Sequence, residues 1–157
     1  MRLLALAIAC LPSVVAADGF FTLKGHGGPV MGGAVSPSGQ IATGSFDNSV
    51  GRWDGTTPVW LEGHEAAVNT VRFVDDTRLV SAGDDFRVLL WDNGTPRELG
   101  RHQGKVMALA VSQDRVASAS WDGTIGLWSL DAGDPVYLEG HAAGVNDIAF
   151  SADGALH

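Results

Sequence analysis

The sequence predicts an all-β protein built from one small unit that repeats about every 38 residues. Four histidines are separated by 38, 38 and 39 residues: His26, His64, His102 and His141. Three tryptophans follow the first three histidines by 27, 27 and 26 residues: Trp53, Trp91 and Trp128. The chain also has 21 glycines in 157 residues, about twice the usual share, which favours many tight turns. A fixed period of this length indicates a repeat architecture.

Each unit divides into four short strands joined by turns. The segment after the histidine, such as residues 68–73, alternates apolar and polar residues, which is typical of a strand. A second strand of small residues follows at 41–45, 79–83 and 116–120, and a third ends in the tryptophan. A fourth, such as residues 58–62, leads to the next histidine. Four strands in about 40 residues are typical of the blades of a β-propeller.

The repeated dipeptides resemble those of the WD-repeat β-propeller family, from Phe20 to the end of the sequence. The motifs that carry the resemblance are Gly25-His26, Gly63-His64, Gly140-His141, Trp53-Asp54 and Trp91-Asp92. Two positions depart from the pattern: Arg101-His102 replaces Gly-His, and Trp128-Ser129 replaces Trp-Asp. The resemblance implies three complete blades at 26–63, 64–101 and 102–140, and the start of a fourth at 141–157.

The resemblance also implies how the ring closes. In this family an N-terminal strand usually completes the last blade, so residues 18–25 are the candidate clasp strand. Propellers close with four to eight blades, and WD-repeat rings usually with seven. An open arc leaves unpaired strand edges and an uncovered apolar face. We therefore expect the chain to be a fragment, or to associate with missing blades or further copies of itself.

Residues 1–17 predict a secretory signal peptide. Arg2 is followed by an apolar stretch at 3–11, and small residues at 15–17 precede Asp18. We therefore expect export, most simply to a bacterial periplasm and otherwise by secretion. The only cysteine, Cys10, lies in this segment, so the mature chain would have no disulfide. Two alternatives fit less well: an apolar first strand, which Pro12 disfavours, and a lipoprotein acylated on Cys10.

Charge and motifs exclude several classes of function. The net charge is −8 and lysines and arginines form no cluster, which argues against nucleic acid or an anionic membrane as partner. No run of about 18 apolar residues is present to span a bilayer. The sequence has no Cys-x-x-Cys-His, so no covalent haem attaches to this chain, and we expect no cofactor.

The family pattern implies a structural tetrad in each blade, in which His, Ser/Thr, Asp and Trp share hydrogen bonds. The tetrads are His26, Thr43, Asp47 and Trp53; His64, Ser81, Asp85 and Trp91; and His102, Ser118, Asp122 and Trp128. Ser, His and Asp could also form a nucleophilic triad. Three repeated sets favour a structural role, so we expect no catalytic residue and no enzyme. One histidine per blade likewise predicts no metal site.

In WD-repeat proteins the usual partner surface is the top face, formed by loop residues just before the tetrad Asp and three or five residues after the loop His. The candidate partner-binding residues are Met31, Phe46, Asn69, Asp84, Lys105, Met107, Trp121 and Asn146. We expect a non-catalytic scaffold that docks a protein there, although Phe46 and Trp121 could instead fold over neighbouring loops. The alternative is the propeller part of a periplasmic electron-transfer protein whose c-type haem domain lies beyond residue 157.

Overall fold

A computed structural model describes residues 22–131 and 133–157, and these ranges contain β-strands and no helix. The strands form three four-stranded sheets, which confirms the predicted fold class. The strands are β1 Val30–Val35, β2 Ile41–Ser45, β3 Val50–Asp54, β4 Thr57–Leu61, β5 Val68–Phe73, β6 Arg78–Gly83, β7 Arg87–Asp92, β8 Thr95–Arg101, β9 Val106–Ser112, β10 Arg115–Ser120, β11 Ile125–Ser129 and β12 Val136–Leu138.

Each sheet is an antiparallel meander of four consecutive strands: β1 to β4, β5 to β8, and β9 to β12. The register repeats from sheet to sheet. The tryptophan of the third strand is paired with the first apolar residue of the second strand, as Ile41 with Trp53, Leu79 with Trp91 and Val116 with Trp128. The three sheets therefore lie within the predicted blades, whose exact boundaries stay predictions.

Turn residues occur where the backbone requires them. Asn93 and Gly94 join β7 to β8, and their φ angles are +47° and +84°. A two-residue hairpin turn with positive φ at both positions matches the twist of the flanking strands, and Asn-Gly is its preferred sequence. The turn from β1 to β2 is closed by the N–H of Gly39, which donates to Ser36 O at 2.9 Å.

Apolar side chains of neighbouring sheets pack against one another to form the core. The first cluster joins Val50 and Leu61 of the first sheet to residues of the second, including Val68 and Trp91. A second cluster packs the second sheet against the third. The outer face of the first sheet is uncovered in the described part of the chain. Val30 is therefore exposed, whereas its counterpart in the second sheet, Val68, is buried.

The two ends of the described chain form less regular structure. Residues 22–24 of the predicted clasp are not in a strand, and residues 18–21 lie outside the described residues, as does the predicted signal at 1–17. Residues 141–157 pack on the third sheet through Val145, Ile148, Phe150 and Leu156. Within the described residues their only strand pairing is a short hairpin around the Phe150–Leu156 bridge, and the Val145 N–H also donates to Ser120 O at 2.8 Å.

Candidate functional site

The second sheet shows how each tetrad is connected. His64 Nδ1 lies 2.8 Å from Asp85 Oδ2, and His64 Nε2 lies 2.7 Å from Ser81 Oγ. The indole N–H of Trp91 donates to the same Ser81 oxygen at 2.7 Å. These partners assign the histidine Nδ1–H as the donor to Asp85 and the serine hydroxyl as the donor to Nε2. The chain of hydrogen bonds ties the loop before β5 to β6 and β7.

The first and third sheets bring together the other two predicted tetrads with nearly the same geometry. His26 is 3.0 Å from Asp47 Oδ2 and 2.7 Å from Thr43 Oγ1, which accepts from Trp53 Nε1 at 2.8 Å. In the third sheet the corresponding distances are 3.0, 2.7 and 2.8 Å. The period of the sequence thus places four polar groups of each repeat in one network.

In the first and third sheets a second hydroxyl, from a fifth residue that was not predicted, joins the network. Ser49 Oγ donates to Asp47 Oδ1 at 2.6 Å, and Thr124 Oγ1 donates to Asp122 Oδ1 at 2.8 Å. Both residues stand two positions after the tetrad Asp, and this spacing is the signal that could have found them. The second sheet has Arg87 at this position, and it pairs with Glu98 instead.

An aromatic ring covers the tetrads of the first and third sheets. Trp60 contacts His26 with ring centroids 4.8 Å apart, and Tyr137 contacts His102 at 5.6 Å, both edge to face. The Tyr137 hydroxyl also donates to Arg101 O at 2.6 Å. The repeated Pro-Val-Trp/Tyr-Leu-Glu-Gly-His segment places these two rings at the same position, although the sequence alone assigned them no role.

Hydrogen bonds lower the pKa of the tetrad carboxylates by more than burial raises it. Burial acts to raise the pKa of Asp122, but the backbone N–H of Gln103 and the hydroxyl and N–H of Thr124 lower it to about 2. The pKa of Asp47 is likewise lowered, by Ser49 and Gly27 against the effect of burial. Burial also lowers the pKa of His102, because it disfavours the imidazolium more than Asp122 stabilises it.

The tetrads connect Ser, His and Asp as a hydrolytic triad does, but a substrate cannot reach the serine oxygen. Ser81 is fully buried, and its oxygen already bonds to an imidazole and an indole. A nucleophile needs an open position beside an oxyanion site, so this arrangement holds strands together. Within 22–131 and 133–157, no three His, Cys, Asp or Glu side chains are grouped to hold a metal ion. The same ranges contain no membrane-spanning helix.

The two kinds of predicted partner-binding loop lie side by side in every blade. The N–H just before the tetrad Asp donates to the carbonyl three residues after the loop His, as Phe46 to Pro29 at 2.9 Å and Trp121 to Lys105 at 2.9 Å. The second blade has the same bond, from Asp84 to Ala67 at 2.8 Å. These loops form the top face defined above.

Several top-face residues bond to each other, both within a blade and across neighbouring blades. The Asn69 amide donates to Asp84 Oδ1 at 2.8 Å and contacts Met107 Sδ at 3.8 Å. Asp84 forms an ion pair with Lys105. Trp121 Nε1 donates to Asn146 Oδ1 at 2.8 Å. The sequence did not predict these bonds, because each residue was predicted to contact the partner independently.

Apolar side chains of the top face stay exposed. The exposed fractions are 60% for Phe46, 52% for Trp121 and 49% for Met31. Met107, by contrast, is half-buried. The aromatic rings are thus not folded away under neighbouring loops, and they offer an apolar surface beside the paired polar groups.

Three meander sheets, each with its own hydrogen-bonded tetrad, define a repeat protein made of propeller blades. A family model described as "WD domain, G-beta repeat" matches residues 20–54, 55–92, 95–129 and 135–157. The chain belongs to this WD40 family.

The chain matches only part of the length of its curated relatives. The "Ribosome biogenesis protein YTM1" of Eremothecium gossypii is 35% identical over 60% of this chain and 26% of its own length. The "Apoptotic protease-activating factor 1" of Rattus norvegicus is 33% identical over 84% of this chain and 11% of its own. The chain therefore spans about a quarter or less of these two proteins.

Solved structures resemble the chain in fold. The WD40 β-propeller domain of Doa1 superposes with a TM-score of 0.79 and 29% identity, covering 90% of this chain and 50% of that one. The computationally designed Ika4 protein superposes with a TM-score of 0.74 and 28% identity, covering 87% and 93%.

Proposed function

We propose that this chain is a non-catalytic protein-interaction scaffold that docks a protein partner on its top face. The observation that carries the proposal is the exposure of Met31, at the start of β1, and of Phe46 and Trp121, in the turns after β2 and β10. Aromatic side chains and methionines lose water readily and adapt to a partner's shape, so they are frequent at protein interfaces. Large apolar side chains that lie between the sheets, such as Leu89 and Trp91, are buried instead.

The loops that carry these side chains are held in position before a partner arrives. Asp47 accepts the Gly27 N–H at 2.6 Å, and Asp122 accepts the Gln103 N–H at 2.8 Å, so each tetrad fixes the loop that follows its histidine. The Lys105–Asp84 pair fixes the polar side chains between the blades. A surface already ordered loses less conformational entropy when it binds.

The relatives support a scaffold because proteins named for different processes share its repeats. A ribosome biogenesis protein and an apoptotic protease-activating factor share the repeats, yet their names describe different processes. They therefore share the blade structure with this chain, and their names point to no common reaction. A fold used in this way receives its function from the residues placed on its surface.

The test compares two double variants at positions that are equally exposed, one pair on the top face and one on the outer strands. Phe46→Ala with Trp121→Ala removes the exposed rings of the top face. Val59→Ala with Val136→Ala, the matched control, removes exposed side chains from the outer strands β4 and β12. We expect pull-down with the first variant to lose partners that the control retains. If the Phe46/Trp121 variant still captures every partner of the parent chain, the top face is not the docking site.

We also propose that the chain is exported. The basic start, apolar stretch and small-residue site of residues 1–17 support cleavage after Ala17. Expression in a Gram-negative host with a C-terminal tag should give a periplasmic protein that begins at Asp18. An Ala17→Arg variant should accumulate uncleaved. Uncleaved parent chain in the cytosol would refute export.

A further inference from the structure

We propose that Trp121 is a cation-binding site that accepts an arginine side chain of the partner, stacked on the exposed face of its indole. This inference rests on the proposed function, because it describes the partner that the top face would bind. The partner is then a protein segment rich in basic residues. Three features of the described residues support it: a ring held in place, open space beside it, and negative charge around it.

The ring of Trp121 is ordered although it is half exposed. Its Nε1–H donates to Asn146 Oδ1 at 2.8 Å, and its backbone N–H donates to Lys105 O at 2.9 Å. Residue 144 must be glycine, since a Cβ there would lie 2.9 Å from Trp121 Cδ1 and Cα. The fourth repeat thus holds the indole from one side, and about half of the Trp121 surface, 52%, stays exposed.

Open space adjoins the ring. A shallow cavity is lined by Trp121, Ala143, Gly144 and Asn146. Ala143 and Gly144 are small, so a planar group can approach the ring without displacing a side chain. The side-chain carbonyl oxygen of Asn146 accepts the hydrogen bond from the indole N–H.

The charge near this cavity favours a cation. From residue 116 to residue 157 the sequence contains no lysine or arginine, and the carboxylates nearest to the cavity are those of Asp122, which directly follows Trp121, and Asp147. Asp147 is exposed and directly follows Asn146. Exposed charges act over about 8–10 Å in physiological salt, so this end of the top face attracts basic segments.

The indole itself already attracts a cation. Lys105 Nζ lies 5.9 Å from the centroid of the Trp121 ring, and Asp84 pairs with the same ammonium. Lys105 does not line the cavity, and its charge is balanced within the protein. A partner cation can therefore approach the open part of the ring. Arginine fits best because its planar guanidinium stacks on aromatic faces and is weakly hydrated.

The test uses a defined probe, a ten-residue peptide of alternating glycine and arginine. Calorimetric titration should detect binding to the full chain at low salt. A matched peptide with citrulline, which keeps the shape and removes the charge, should bind about tenfold more weakly. The Trp121→Leu variant should lose about tenfold in affinity, whereas Trp121→Phe, which keeps an aromatic face, should lose less. Phe46→Leu, the matched control in the first blade, should change affinity less than twofold.

Equal binding of the arginine peptide to the parent and to both Trp121 variants would overturn the inference. Tighter binding of the citrulline peptide, of a proline decapeptide or of maltohexaose at Trp121 would also overturn it. Failure of this inference is distinct from failure of the proposed function. If the Phe46/Trp121 double variant loses partners but Trp121→Leu keeps the arginine probe, only the cation site is wrong. If Trp121→Leu loses the probe but the Phe46/Trp121 double variant still captures every partner, the docking proposal is wrong.

Discussion

Replacing Ser81 by alanine should destabilise the fold strongly without changing its shape. The serine oxygen accepts from Trp91 Nε1 and bonds to His64 Nε2, each at 2.7 Å, and all three side chains are buried. Alanine leaves both nitrogen atoms without a partner, at about 1–3 kcal/mol each. Allowing for some relaxation, we expect a loss of about 2–4 kcal/mol. For a chain of this size that lowers Tm by about 6–12 °C.

Thermal unfolding followed by circular dichroism measures this effect. The matched control is Ser129→Ala, because Ser129 is exposed at the end of β11. Its unfolding free energy should change by less than about 0.5 kcal/mol. Trp91→Phe should cost less in the Ser81→Ala background than in the parent, since the indole N–H has then already lost its acceptor. A Ser81→Ala chain with the Tm of the parent would refute the tetrad as a stabilising network.

Three further predictions concern the titration of tetrad residues and the packing around the tetrad tryptophan. The pKa of Asp122 is about 2 in the folded chain, below its ordinary value of 3.8, so its stabilisation is present above about pH 4 and is lost as the pH falls toward 2. Burial lowers the pKa of His102, so stability already begins to fall below about pH 6.5. A Tm that stays constant from neutral pH to about pH 3 would contradict both. Gly126→Ala would place a Cβ 2.3 Å from Trp128 Cζ2, and should cost about 3 kcal/mol in urea unfolding. Gly33→Ala, whose Cβ would meet only a carbonyl at 3.6 Å, is the control, and equal urea midpoints for the two variants would contradict the packing argument.

The repeat period explains why the blades could be predicted from the sequence. Strand β5 spans the predicted residues 68–73, and the third strands extend one residue beyond the predicted tryptophan, as at Asp54. Local turn chemistry and alternation determine these elements within each repeat. The tetrad spacing is local in the same sense, because its four residues lie within one blade, as from His64 to Trp91.

Contacts between repeats could not be predicted in this way. The Lys105–Asp84 pair and the Trp121–Asn146 bond join neighbouring blades. Whether a polar residue faces a partner or its neighbour depends on how two sheets pack, which the sequence of one repeat does not specify. The predicted start of a fourth blade at 141–157 also depends on how neighbouring sheets pack. Strand pairing requires a neighbour, and those residues pack on the third sheet while pairing only at the end of a hairpin.

Site-specific crosslinking tests the docking surface most directly. A photoreactive phenylalanine analogue is placed at Phe46, at Trp121, or at Val59, which is equally exposed on β4. We expect one and the same protein to be crosslinked from the first two positions and not from the third. Crosslinks from Val59 with none from Phe46 or Trp121 would contradict docking on the top face.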